Sequence, residues 1–168
     1  KYNVAAGDIK NLSFYKPLGT YYLFVKDKAG NIARATATVS DTIKPTCSIT
    51  LSGTAGNAGW YRGPVTATLS TSDVGSGVKD YGISTANSPV YNNSKTVTQN
   101  ADTKGAPIYG FVRDNAGNVG TCTVTAKKDT VGPSITGISN NYNNKWTNQN
   151  VVISANGSDA TSGMNNIK

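Results

Sequence analysis

A seven-residue stretch occurs twice in this chain, as Val25-Lys26-Asp27-Lys28-Ala29-Gly30-Asn31 and as Val112-Arg113-Asp114-Asn115-Ala116-Gly117-Asn118. Each copy ends an apolar, aromatic-rich run and opens a second run rich in Thr, Val and Ala. Each is followed by Asp-Thr-x-x-Pro, at Asp41–Pro45 and at Asp129–Pro133. Other landmarks recur in step. Asp27 and Asp114 lie 87 residues apart, Pro45 and Pro133 88, and Trp60 and Trp146, Asp73 and Asp159, and Gly77 and Gly163 each 86. A period of 86 to 88 residues suits one small β-sandwich per repeat. The phase predicts a complete module over residues 44–131, the C-terminal half of an earlier module over 1–43, and the N-terminal half of a later one over 132–168. The chain begins in mid-pattern at Lys1, as a piece of a longer array would.

The residues between the landmarks read as strands and turns. Gly, Ser, Thr and Asn dominate and only 15% of residues are charged, so long helix-forming runs are missing. Thr, Val and Tyr suit strands, while Gly, Asn and Asp suit turns. In the complete module Cys47, Ile49 and Leu51 alternate through a first strand at Thr46–Ser52, and Val65–Ser70 alternates as a second. Further strands are expected at Val78–Ser84, Lys95–Gln99, Pro107–Asp114 and Asn118–Ala126. The flanking halves follow the same template, with strands expected at Gly19–Asp27, Ile32–Val39, Ile135–Ser139 and Val151–Ser154. Six or seven strands with antiparallel neighbours and a tight closing hairpin predict an all-β, two-sheet sandwich.

Several function classes are disfavoured. The formal charge is +7, but the basic residues are scattered and form no stripe, so nucleic acid is not an expected partner. No apolar run approaches a membrane span. The chain has no histidine, which removes every His-dependent triad, acid–base or metal scheme. The aspartates sit at repeated turn positions, and no Gly-rich loop has phosphate-binding spacing. The expectation is a non-catalytic protein.

Cys47 and Cys122 are the only cysteines, and both fall in the complete module. Ile135 and Ala35 occupy the matching positions in the flanking halves. Two cysteines that appear together in one repeat point to a disulfide between the first and last strands and to an oxidising compartment. A pair of buried free thiols is the alternative. Two cysteines without histidine cannot make a zinc site.

Trp60-Tyr61-Arg62 before a Thr/Val strand, Ser72-Asp73-Val74-Gly75-Ser76-Gly77-Val78, the Asp-x-Ala-Gly-Asn hairpin and the Asp-Thr-x-x-Pro linker together resemble bacterial Ig-like repeat domains. Trp146–Val151 and Ser158–Met164 fit the same template, so the resemblance covers essentially the whole chain. It implies tandem Ig-like modules serving as a stalk or spacer in a secreted or cell-surface adhesin-like protein. In sandwiches of this kind the first and last strands are often neighbours. Neighbouring repeats of the same polypeptide are the implied partners.

The resemblance also implies calcium at module junctions. The oxygen ligands expected are Asp27, Asn31 and Asp41 in one group and Asp114, Asn118 and Asp129 in the other. Against this, Asp and Asn in tight turns bond their own backbone. Trp60, Tyr61 and Trp146 are candidates for stacking on a glycan, although their recurrence at one repeat position suits packing equally. A glycan- or wall-binding module and an Ig-like part of a phage fibre are the alternative functions. Copies of the chain could also complete one another head to tail, because residues 132–168 and 1–43 hold complementary halves.

Overall fold

The computed structural model describes residues 18–142 and 145–165, so the part of the first half-module at residues 1–17 lies outside the described residues. The described chain is all-β, with eleven strands and no helix. In order these are β1 (Gly19–Lys26), β2 (Ile32–Val39), β3 (Thr46–Ser52), β4 (Trp60–Tyr61), β5 (Val65–Ser72), β6 (Val78–Ser84), β7 (Thr96–Gln99), β8 (Thr103–Asp114), β9 (Val119–Lys128), β10 (Ser134–Asn140) and β11 (Ile153–Ser158). They form four sheets, β1-β2, β10-β11, β3-β5-β7 and β4-β9-β8-β6.

The last two sheets face each other across one core. Alternation decides what enters it. Along β5 Val65, Ala67 and Leu69 are buried, while Ser70 and Ser72 on the opposite face are exposed. Ile83 of β6, Ile108 of β8 and Ala126 of β9 join them from the other sheet. Leu69, Ile108, Val65 and Val112 are among the largest fully buried side chains, and each contributes about 1.5–3 kcal/mol over its exposed state. The outward face of β3 carries only Thr46, Ser48, Thr50 and Ser52. This is the half-buried pattern expected of an antiparallel sheet with one wet face.

Two findings depart from the sequence expectation. Trp60 and Tyr61 form a short strand of their own, paired parallel to Lys127 and Lys128 at the edge of β9. The second strand of the last repeat is Ile153–Ser158, not Val151–Ser154. A register shift between Ile135 and Gly137 interrupts its pairing with β10.

Cys47 and Cys122 form a disulfide, with Cα atoms 5.7 Å apart. They are not neighbours within one sheet, because β3 belongs to the three-stranded sheet and β9 to the four-stranded one. The bond therefore ties the two layers together through the core. It closes a loop with a sequence separation of 75, which in the chain-entropy account adds about 4 kcal/mol.

Gly110 of β8 makes room for it. Gly110 pairs with Cys122, and a Cβ there would sit 2.7 Å from the Cys122 sulfur and 2.6 Å from Leu69 Cδ1. The β1-β2 and β10-β11 sheets have no such second layer among the described residues. Leu23 and Phe24 are 53% and 61% exposed, and Ile135 and Ile138 are each 70% exposed.

Gly110→Ala overfills this contact and is expected to destabilise the chain by about 1–3 kcal/mol, read as a lower urea midpoint at unchanged slope. A midpoint equal to that of the parent chain would show that the core has slack at this position.

Candidate functional site at the acidic pole

Three loops meet at the end of the complete module where the chain enters it. The first is the linker before β3, the second the turn between β5 and β6, and the third the hairpin between β8 and β9. The hairpin carries the repeated motif. Gly117 has φ 96° and Gly30 in the earlier copy φ 100°, the left-handed region a side chain disfavours. Asp114 N donates to Asn118 O, and the Asp114 carboxylate accepts from Asn118 N at 2.7 Å and Asn118 Nδ2 at 2.7 Å. Asp27 repeats both side-chain bonds, to Asn31 N at 2.8 Å and Asn31 Nδ2 at 2.7 Å. The motif is thus a self-bonded hairpin wherever it occurs.

Its position in the complete module brings further carboxylates together. Asp41, Asp73 and Asp114 each place a carboxylate oxygen within 4.8 Å of the others. Asp41 and Asp114 are buried and Asp73 is half-buried. The surrounding backbone turns its N–H groups toward them. Asp41 accepts from Ile43 N at 2.9 Å and Ser76 N at 2.6 Å, and Asp73 from Gly75 N at 3.2 Å and Gly77 N at 2.6 Å. Asn118 Nδ2 also donates to the carbonyls of Asp41 at 3.1 Å and Ile43 at 3.3 Å, tying hairpin to linker. A Cβ at Gly75 would collide with the Asp41 carboxylate, so the turn approaches by its bare backbone. The Ser76 and Ile43 N–H groups hold the Asp41 carboxyl below the usual carboxylate range. One acceptor stays free, since Asp73 Oδ1 is buried with no hydrogen-bond partner.

The grouping differs from the one the sequence suggests. The six expected ligands divide by module and not by adjacency in the chain. Asp41 joins Asp114 and Asn118, the hairpin of the module it precedes, rather than Asp27 and Asn31. Asp129 turns forward in the same way, its carboxylate accepting from Ser162 N at 3.0 Å. Asp73 completes the triad, although the sequence marks it only as a turn residue. Its signal was the repeat itself, because Asp159 recurs in step and accepts from Gly163 N at 2.8 Å just as Asp73 does from Gly77 N. The three aromatic candidates form no common platform. Tyr61 packs against the core, Trp60 is half-buried at the β4–β9 edge, and Trp146 is fully exposed in the last repeat.

At the opposite end the chain leaves through a second set of bonds. Asp129 N donates to Tyr61 O at 2.9 Å. Asp102 accepts from Lys128 Nζ at 2.6 Å, Thr130 N at 3.0 Å and Thr130 Oγ1 at 2.8 Å. The Lys128 side chain is only 5% exposed, and Asp102 is the counter-charge it is buried against. Asp129 Oδ1 accepts from Val131 N at 3.0 Å. Compared with known protein families and with curated proteins, the chain finds no match.

These carboxylates give the fold an acid limit. Lys128 first, then Thr130, holds Asp102 at about 2. Asp129 is lowered by Ser162 first and also by Val131 N–H, and Asp80 by Arg113. A folded pKa below the unfolded value of about 3.9 stabilises fully above that value and is lost as pH falls through the folded one. Urea midpoints are therefore expected to hold down to about pH 5 and to drop between about pH 4 and 2. Asp102→Asn should lower the midpoint at pH 7 and flatten that drop. An unchanged acid limb in this variant would exclude the Asp102 contribution.

Proposed function

We propose that this chain is part of a tandem array of Ig-like modules that works as a non-catalytic stalk or spacer in a secreted or cell-surface protein of the adhesin type. One observation carries the reading: Asp129 is bonded to two successive modules at once. Its backbone N–H donates to Tyr61 O of the complete module, and its carboxylate accepts from Ser162 N of the next. Only residues 129–133 separate β9 from β10, and Asp102 grips Thr130 within that span. A free linker would need none of these bonds, whereas a spacer that must hold reach needs a firm joint. The entry linker carries the same forward bond, from Ser76 N to Asp41, so the device recurs with the repeat.

Three further observations support the module type and setting. Reading β3, β5, β6, β7, β8 and β9 as strands A, B, C, E, F and G, the sheets have the order A-B-E and C-F-G with the short β4 added beside G, an order that supports the Ig-like reading. The disulfide suits an oxidising compartment. No helix among the described residues is long and apolar enough to cross a membrane.

Tryptic cleavage after Lys128, normalised to a free peptide of the linker sequence, tests the joint. The native chain should resist, and Asp129→Ala should raise the normalised rate several-fold. Equal rates in the two chains would mean that the linker is free and the stalk reading wrong.

A second reading concerns calcium at the acidic pole. Asp73 Oδ1 lacks a partner, and the Asp41 and Asp114 oxygens, each already accepting one bond, retain a second lone pair. Such a hard-oxygen set fits calcium in kind, with water completing its six to eight ligands. Asp41, Asp73 and Asp114 would hold the ion, which would stiffen the contact between linker and module. Millimolar calcium is expected to raise the thermal midpoint, and Asp73→Asn to abolish the rise. A midpoint indifferent to calcium in the native chain would leave the backbone N–H groups as the whole purpose of the cluster.

A further inference from the structure

We propose that the Cys47–Cys122 disulfide is a mechanical lock that carries tension from the first strand of the complete module directly to its last, leaving the core between them unloaded. The proposal rests on the reading of the chain as a load-bearing array. It begins with where the sulfurs lie. Pull enters the module at Thr46, the first residue of β3, and leaves at Lys128, the last of β9. Cys47 is one residue beyond the first point and Cys122 six residues before the second. Strands β4, β5, β6, β7 and β8 all lie inside the closed loop. So do Val65, Ala67, Leu69, Ile83 and Ile108, and only Ala126 of the buried cluster lies outside it.

The consequence is geometric. An extended chain spans about 3.3–3.6 Å per residue. With the bond intact, tension can draw out only Thr46 and the six residues after Cys122, roughly 25 Å. Without it, the sequence separation of 75 between the cysteines becomes available, on the order of 250 Å. Thermodynamic stabilisation alone would be served by a bridge between other strands. Placement at the two ends of the module is what takes the core out of the load path.

The flanking repeats show the same positions built without the lock. Gly110 pairs with Cys122 across β8 and β9, and at the same register Leu23 pairs with Ala35 across β1 and β2. Ile135 stands at the position of Cys47 in the last repeat. In the complete module sulfur stands where the flanking repeats carry Ala35 and Ile135, and the missing side chain at Gly110 leaves room for it. Cys47, Gly110 and Cys122 therefore all differ from the residues at the matching positions, Ile135, Leu23 and Ala35, where this cross-link cannot form.

The test pulls the full chain by its two ends and reads contour length under force, oxidised and then with excess dithiothreitol. Reduction transfers two electrons to the disulfide, giving thiols at Cys47 and Cys122 while the reagent closes to its own cyclic disulfide. The flanking sheets contribute equally to both states, so their difference isolates the lock. The expected result is an added length on the order of 250 Å on reduction. A second arm uses the double variant Cys47→Ala, Cys122→Ala, which removes the bond and leaves Gly110 in place. It should release the same length without reductant. An oxidised chain that already yields the long extension, or a reduced chain that gains nothing, would overturn the proposal. The tryptic assay stands apart from this result. A free linker with the length difference present removes only the stalk reading, and a firm joint without the length difference removes only the lock.

Discussion

Hydrogen bonds from backbone N–H groups to aspartate carboxylates hold the two repeated hairpins, the β5–β6 turn and both linkers, and the grouping of loops at the module's ends depends on them. The chain has nine acidic residues, all aspartate. The short side chain matters, because it reaches N–H groups two to four residues onward in its own turn. Asp27, Asp73, Asp114 and Asp159 do this inside single loops. Asp41 and Asp129 divide their oxygens, one accepting from the local turn and the other from a loop more than thirty residues away. The remaining described aspartates, Asp80 and Asp102, are paired with Arg113 and Lys128. Each described carboxylate thus accepts at least one internal bond.

The same bond type links local and long-range order. A linker residue that caps its own turn is already in the right conformation to present its second oxygen, so joining to the next module costs little additional order. At the acidic pole this brings like charges together. The backbone dipoles of Ser76, Gly77 and Asn118 offset their repulsion at short range. Buried carboxylates are tolerable on these terms because each charged group is solvated by fixed donors in place of water.

Core packing obeys a matching economy of volume. Gly110 and Cys122 in the complete module, and Leu23 and Ala35 in the earlier repeat, occupy one register position of one hairpin. Exchanging a large side chain for a glycine on one strand accompanies exchanging an alanine for a cross-linking cysteine on the other. In the close-packed interior of the complete module the glycine makes the room that the disulfide takes, whereas Leu23 stands 53% exposed on its two-stranded sheet.

Local chemistry made much of this legible in the sequence. Period-two alternation placed β3 and β5, and Gly117 with Asn118 marked the closing hairpin, because these depend on residues a few positions apart. The repeat and the pairing of Cys47 with Cys122 were readable from recurrence and its single exception. Tertiary structure alone decided which loops share a pole. Asp41 lies fourteen residues from Asp27 and seventy-three from Asp114, yet it meets the latter, because stacking the two sheets sets those ends side by side. The parallel bridge of Trp60 and Tyr61 to β9 and the space left at Gly110 are of the same kind. The sequence by itself determined the strands, the turns and the repeat, all short-range properties of the backbone. Folding decided the linker contacts, the carboxylate cluster and the bridge between the two sheets, since these exist only where distant segments touch.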